Sequence, residues 1–212
     1  MAEEKAGNMQ EPDTRVGIFG GNFDPIHNGH VEAAKLFMEQ MRLDYLFVIP
    51  KGMSHKQVMS ADESCHRLRM CELAFAGEDG VVVSDMEIAN GGTCDTVDTL
   101  RELSAPGRRL LLLCGTDAVL SFDQCKDYKE ILQLCYPVYM RRENDRMLDN
   151  MIVNKLSKYY AESGKMFRKL VGDPIAVSSS EIRAKVARGE DITDLVPPLV
   201  ASYIQANGLY KN

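Results

Sequence analysis

The stretch from residue 16 to residue 41 constrains the fold more than any other part of the chain. A short apolar run at Val16–Phe19 predicts a buried strand, and Gly20-Gly21 follows it with two residues that lack a Cβ, so the backbone there can approach a ligand closely. Apolar positions then recur with helical spacing from Val31 to Met41, which predicts a helix. A strand, a glycine turn and a helix in this order are typical of an α/β sheet.

Two histidines lie at the start of this predicted helix. His27 and His30 are three residues apart, so both side chains can point the same way on the first turn. The residues between them, Asn28 and Gly29, suit the beginning of a helix, where unpaired amides and the positive end of the helix dipole favour an anion. The sequence therefore predicts a phosphate site beside the two imidazoles.

A second segment, residues 176–183, has a similar form. Ser178 and Glu181 stand in capping-box spacing, which predicts the start of another helix. Arg183 falls on the first turn of that helix, where its guanidinium can join the helix amides in holding a polyphosphate.

Strand and helix signals alternate along the rest of the chain and predict a doubly wound parallel sheet. Strands are predicted at 16–19, 45–49, 81–84, 109–114, 136–140 and 175–177. Helices are predicted near 30–42, 61–76, 96–104, 116–122, 127–134, 148–162, 179–188 and 198–206. In such folds ligands bind beyond the carboxyl ends of the strands, which is where both motifs fall.

Both motifs resemble signatures of the nucleotidyltransferase superfamily. Residues 21–30 match G-x-F-D-P-x-H-x-G-H at every fixed position, and residues 177–183 are similar to I-S-S-T-x-I-R. The wider resemblance is to the bacterial nicotinate mononucleotide adenylyltransferases. It extends over nearly the whole chain after residue 15, including Gly115-Thr116-Asp117 and the terminal helix. It implies an α/β chain with a single Rossmann-like doubly wound sheet of the nucleotidyltransferase fold.

The resemblance implies adenylyl transfer from ATP to nicotinate mononucleotide, giving deamido-NAD and pyrophosphate, in NAD biosynthesis. Mg²⁺ would be bound mainly through the ATP phosphates, with no protein metal site. The chain has no recognisable nucleophile–histidine–carboxylate order, so direct transfer without a covalent intermediate is expected.

His27, His30 and Arg183 are the implied catalytic residues. The implied ATP-binding residues are Gly20, Gly21, Asn22, Phe23, His27, His30, Gly115, Asp117, Ser179, Ser180, Ile182 and Arg183. The implied acceptor-binding residues are Asn22, Asp24, His55, Lys56, Thr96, Cys125, Tyr128 and Arg141.

The acceptor side departs from the family pattern. The family places a tryptophan about ten residues after its G-x-D turn, where the indole stacks on the pyridine ring. This chain contains no tryptophan, and Cys125 takes that position, with Tyr128 three residues further on. The choice between nicotinate and nicotinamide mononucleotide as acceptor therefore stays open. Another member of the superfamily, with a phosphopantetheine acceptor, is a second alternative. A nucleotide-sensing module without turnover is the alternative from a different class.

Composition and charge bear on the number of domains, the partners and the location of the protein. The 212 residues are 45% hydrophobic and show one composition regime, so we expect one domain over 16–212 after a disordered tail at 1–15. The formal net charge of −6 argues against a nucleic-acid partner. The polar tail is not an export signal, no run is long enough to span a membrane, and the six cysteines show no zinc spacing, so a cytoplasmic location is expected. The oligomeric state cannot be read from the sequence.

Overall fold

Parallel strands form one sheet in the computed structural model, which describes residues 13–52, 61–90, 95–141, 146–172 and 177–211. The strands are β1 (Thr14–Gly21), β2 (Tyr45–Pro50), β3 (Val81–Val83), β4 (Arg108–Gly115), β5 (Cys135–Met140) and β6 (Arg168–Lys169). Their order across the sheet is β3-β2-β1-β4-β5-β6. The chain order reverses between β1 and β4, and the carboxyl ends of those two strands therefore border the crevice in which such folds bind ligands.

Helices cover both faces of the sheet. They are α1 (Asn28–Met41), α2 (Ala61–Ala74), α3 (Met86–Ala89), α4 (Thr96–Leu103), α5 (Thr116–Leu120), α6 (Tyr128–Leu134), α7 (Arg146–Ser163), α8 (Ser179–Ala187) and α9 (Pro198–Ala206). A short 3₁₀ turn, Phe122–Gln124, follows α5. Among the residues that the structure describes, no helix is both long enough and apolar enough to cross a membrane.

Alternation along the central strands builds two cores. Leu111 and Leu113 of β4 face the core beneath α1, α2, α8 and α9, whereas Leu110 and Leu112 face the core beneath α4, α6 and α7. A strand buried on both faces needs apolar residues at every position, which explains the unbroken leucine run. Gly17 lets α1 approach β1, because a Cβ there would lie 3.0 Å from the Phe37 ring.

The predicted doubly wound parallel sheet is confirmed, with differences in detail. β1 begins at Thr14, two residues before the predicted start of the domain. The strand predicted at 175–177 falls mostly on residues 173–176, outside the described part, and Val177 itself is not in a strand. The sixth strand of the described sheet is Arg168–Lys169, which was not predicted, and neither was the one-turn helix α3. Both are too short to show an apolar period, so they left no signal in the sequence.

Candidate active site

A cavity of about 630 Å³ opens where the strand order reverses. Its walls come from the end of β1 and the loop that leads to α1, from the end of β4 with α5, and from the first turns of α8. The sequence-predicted residues that line it are Gly20, Gly21, Asn22, Phe23, Asp24, His27, His30, Thr96, Gly115, Asp117, Cys125, Ser179, Ser180 and Arg183. The two motifs, about 150 residues apart in the chain, thus share one cavity.

The histidine pair is preorganised at the start of α1. The two rings stack with centroids 3.6 Å apart, and the side chains of His27 and His30 are only 2% and 7% exposed. The backbone N–H of His27 donates to Nδ1 of His30 at 3.3 Å. Because Nδ1 accepts, the neutral His30 ring carries its proton on Nε2, which is then its hydrogen-bond donor.

Glycine and phenylalanine together shape the loop before the histidines. A Cβ on Gly21 would lie 2.8 Å from the ring of Phe23, whereas a Cβ on Gly20 would meet only the Ile49 carbonyl oxygen, at 4.0 Å. Gly21 must therefore be glycine because the Phe23 ring packs against it. The surface over Gly20 is left open to a ligand. Phe23 adopts a left-handed φ of 48° and packs edge-on against the His30 ring, with centroids 5.0 Å apart.

Side chains from distant segments bind the carbonyl oxygens of this loop. Nη1 of Arg67 donates to the Asn22 oxygen at 2.8 Å, and Nη1 of Arg183 donates to the Asp24 oxygen at 2.6 Å. The hydroxyl of Ser179 donates to the Pro25 oxygen at 2.8 Å. Carbonyl dipoles that would repel a phosphate are thereby turned towards donors, which favours an anion in the cavity.

Arg67 ties this loop to the end of β2. Its Nη2 donates to the Lys51 carbonyl oxygen at 2.7 Å, and its side chain is only 1% exposed. Burial lowers the pKa of Arg67 from its ordinary value. The sequence reading gave Arg67 no role in the site, because the two carbonyls that it binds are brought to it only by the fold.

The end of the chain also reaches the site. The hydroxyl of Tyr210 donates to Oδ1 of Asp24 at 2.6 Å, and Nη1 of Arg183 lies 3.5 Å from Oδ2 of the same carboxylate. Burial, and secondly the hydrogen bond to Asp24, raise the pKa of Tyr210 above its ordinary value, so the phenol keeps its proton and acts as the donor. Tyr210 was missed as a site residue, and only the family resemblance of the terminal segment pointed towards it.

The first turn of α8 shows one of the two bonds of the predicted capping box. The hydroxyl of Ser178 accepts the backbone N–H of Glu181 at 3.2 Å. Ser179, Ser180 and Arg183 line the cavity. Ile182 does not, because its side chain is fully buried in the core and its amide donates to the Ser178 oxygen.

The cavity wall also includes Thr96 and Cys125, together with two residues that were not predicted as ligands, Lys51 and Glu87. Glu87 is 6% exposed and accepts the Thr99 hydroxyl at 2.9 Å. Burial raises the pKa of Glu87, and the nearby Lys51 ammonium partly opposes that shift. A buried carboxyl on a one-turn helix has no local pattern by which it could be found in the sequence.

Two further predicted acceptor residues, Tyr128 and Arg141, do not line this cavity. The hydroxyl of Tyr128 donates to Glu162 at 2.6 Å, and Tyr128 is not part of the cavity wall. Arg141 pairs with Asp149 at 2.7 Å and lines a small neighbouring cavity of about 30 Å³, which it shares with His27. His55 and Lys56 fall outside the described residues.

Within the described ranges, no three histidine, cysteine, aspartate or glutamate side chains are grouped so as to hold a metal ion. The carboxylate of Asp24, which lines the same cavity as the histidines, already accepts from Tyr210. The donor set of the cavity is therefore suited to anions, and a divalent cation there would need oxygen ligands from a bound phosphate.

A six-stranded parallel sheet with paired imidazoles and a guanidinium at its switch point defines a nucleotidyltransferase. Residues 18–185 match the cytidylyltransferase-like family, to which the chain belongs. The chain is 32% identical over 197 residues, 93% of its length and 99% of the relative's, to "Probable nicotinate-nucleotide adenylyltransferase" of Bordetella petrii. It is 35% identical over 208 residues, 95% of its length and 96% of the relative's, to a protein of the same name from a Thermoanaerobacter species. Within its family the chain therefore belongs to the nicotinate-nucleotide adenylyltransferases, as the resemblance implied.

A solved structure supports the same fold. Plasmodium falciparum nicotinic acid mononucleotide adenylyltransferase complexed with NaAD superposes with a TM-score of 0.73 at 19% identity, covering 93% of this chain and 97% of that one. At this identity the likeness concerns the fold alone.

Proposed function

We propose that the chain transfers the adenylyl group of ATP to nicotinate mononucleotide, giving deamido-NAD and pyrophosphate in NAD biosynthesis. The observation that carries the proposal is that His27, His30 and Arg183 line one cavity although their motifs are far apart in sequence. Two buried imidazoles and a guanidinium offer the donors that a triphosphate requires.

The ATP phosphates would lie between the starts of α1 and α8. His27 and His30, the latter through Nε2–H, would contact the α-phosphate as charge develops on it. Arg183, with Ser179 and Ser180, would hold the β- and γ-phosphates, while Gly20 allows close approach of the backbone and Gly21 keeps the loop packed against Phe23. The adenosine ribose would lie against Gly115 and Asp117.

The reaction would be a direct displacement. An oxygen of the acceptor's 5′-phosphate attacks the α-phosphorus, the bond from that phosphorus to the bridging oxygen breaks, and pyrophosphate leaves. The residues of this site align two anions and spread the developing charge, which is the main contribution that proteins make to such transfers. Mg²⁺, held mainly by phosphate oxygens, would supply further charge neutralisation when bound.

The acceptor would occupy the end of the cavity that holds Thr96 and Cys125, with Asn22 and Asp24 at its boundary with the phosphates. Contacts from Tyr128, Arg141, His55 and Lys56 stay predictions, and Arg141 lines the small cavity that it shares with His27. We also propose a cytoplasmic protein whose single domain extends over 16–212.

Product identification tests the proposal. The protein is incubated with Mg·ATP and, separately, with nicotinate mononucleotide, nicotinamide mononucleotide or phosphopantetheine, and the products are identified by mass. Of the three acceptors, we expect nicotinate mononucleotide to react fastest, giving deamido-NAD and pyrophosphate. Equal rates with both pyridine nucleotides would show that Cys125 relaxes selectivity. Preferred adenylylation of phosphopantetheine, or no pyrophosphate with any acceptor, would contradict the proposal.

A further inference from the structure

A phenol and a guanidinium lie at different distances from the carboxylate of Asp24. The Tyr210 hydroxyl lies 2.6 Å from Oδ1, a length typical of a charge-assisted O–H···O⁻ bond. Nη1 of Arg183 lies 3.5 Å from Oδ2, beyond direct hydrogen-bond length, and instead donates to the Asp24 backbone oxygen at 2.6 Å. The close partner of the carboxylate is therefore the phenol, not the guanidinium.

We propose that Tyr210 is a positioning residue, which satisfies the Asp24 carboxylate and so keeps Arg183 available for the phosphates of ATP. This inference rests on the proposed function. It gives the last turn of the chain a role in the site that the sequence motifs do not assign.

Competition for Arg183 is the physical basis of this role. The side chains of Arg183 and Asp24 are 40% and 30% exposed, so both groups border the cavity without being fully solvated. An acidic side chain that lost its phenol donor would attract the nearest guanidinium, and a bidentate pair is the geometry that arginine and carboxylate favour. Such a pair would use the same N–H groups that a polyphosphate needs.

The position of the phenol is set by the fold. Val200 and Ile204 bury α9 in the core against α2, and the chain then turns so that Tyr210 adopts a left-handed φ of 62°. The hydroxyl that reaches Asp24 is thus held by a helix whose own contacts lie in the core.

A second tyrosine provides a matched control. Tyr203, on α9, also bonds a side chain through its hydroxyl, with Nδ1 of His66 at 2.9 Å, but it does not line the cavity. Tyr203→Phe therefore removes an equivalent hydroxyl from the same part of the chain without touching Asp24.

The test measures Mg·ATP binding to the full chain by calorimetry without acceptor, together with steady-state KM and kcat. Tyr210→Phe should weaken Mg·ATP binding by about tenfold, the loss expected for one hydrogen bond to a charged group. KM for ATP should rise accordingly, with much smaller changes in kcat and in KM for the acceptor. Tyr203→Phe should stay within about twofold of the unmodified protein, an interval below the effect of one hydrogen bond.

A suppressor variant separates positioning from folding. Asp24→Asn in the Tyr210→Phe background removes the charge that would capture Arg183, so the double variant should bind Mg·ATP more tightly than Tyr210→Phe alone. A merely structural role for the phenol predicts the opposite. The inference would be overturned if Tyr210→Phe and Tyr203→Phe bound Mg·ATP with equal affinity. It would also be overturned if the double variant bound Mg·ATP more weakly than Tyr210→Phe alone. Unmodified protein that fails to bind Mg·ATP would overturn the proposed function as well.

Discussion

The two ends of the cavity that we propose for the phosphates and for the acceptor are built in different ways. At the phosphate end, the residues that line the cavity come from two short segments, 20–30 and 179–183, and several of their polar groups are fixed by donors from other elements. At the acceptor end, single residues arrive from separate elements: Lys51 after β2, Glu87 on α3, Thr96 on α4 and Cys125 after the 3₁₀ turn.

This difference shows which part of the site is constrained by chemistry. Charge stabilisation depends on donors held at fixed positions, because a displaced donor loses most of its effect on the transition state. Recognition of a planar ring depends on surface area and tolerates substitution. The absent tryptophan, with Cys125 in its place, lies at the tolerant end, whereas every fixed position of the histidine motif is kept.

The largest expected effect is at the phosphate end. His27→Ala should lower turnover at least about a hundredfold while the protein still folds, because a donor aimed at developing charge is lost. Steady-state kinetics and circular dichroism measure the two properties. His66→Ala, which removes an imidazole outside the cavity, should keep near-normal turnover. If His27→Ala also kept it, the assigned role of the histidine would be refuted.

A smaller effect tests how the phosphate loop is held. Arg67→Met keeps the apolar stem but leaves the Asn22 and Lys51 carbonyl oxygens without their donor, which should destabilise the fold by about 2 kcal/mol and lower Tm by about 4–8 °C. Thermal unfolding measures this change. Arg69→Ala removes an exposed arginine that pairs with Glu72 on the same helix, and should change stability by less than about 0.5 kcal/mol. Equal melting of both variants would contradict the role of Arg67.

The acceptor end should gain affinity from a restored ring. Cys125 is exposed and lines the cavity, so Cys125→Trp can place an indole there without overpacking the core. Stacking on the pyridine ring should lower KM for nicotinate mononucleotide by up to about tenfold, with KM for ATP unchanged. Cys65→Trp adds the same ring at an exposed cysteine outside the cavity, and should have no effect. If both variants changed KM for nicotinate mononucleotide equally, the acceptor would have to bind away from Cys125.

The smallest expected effect is a pH-dependent change in stability at Glu87. Burial raises the pKa of Glu87 above 4.5, so its contribution to stability is fully present below the unfolded-state pKa and is lost as pH rises through the raised pKa. Glu87→Gln should therefore gain in Tm relative to the unmodified protein as pH increases above about 4.5. Thermal melts at a series of pH values measure the difference.

Glu130 provides a control of opposite sign. Its hydrogen bonds from Arg101 lower the pKa of Glu130, so the stability it contributes is present above the ordinary pKa and is lost as pH falls. The Tm of Glu130→Gln should therefore be closest to that of the unmodified protein at low pH. If the Tm difference of Glu87→Gln stayed flat with pH, the carboxyl of Glu87 would not be ionising in a buried environment.

Much of the fold could be read from local patterns. The strands β1, β2, β4 and β5 and the longer helices follow from apolar periods and capping signals, which are properties of neighbouring residues. Arg168–Lys169 was missed because two charged residues pair with β5 only through their backbone, and the pairing is visible only once Val138 and Tyr139 lie beside them.

The sequence by itself determined the histidine motif, the capped helix that carries Arg183, and the alternation that places both at one edge of a parallel sheet. Each of these depends on residues close together in the chain. The tertiary structure alone decided that Arg67 and Tyr210 bind the loop before α1, that Glu87 is buried in the cavity wall, and that Tyr128 donates to Glu162. The reason is that these contacts join atoms from segments distant in sequence, and no local pattern encodes which of many polar side chains will meet.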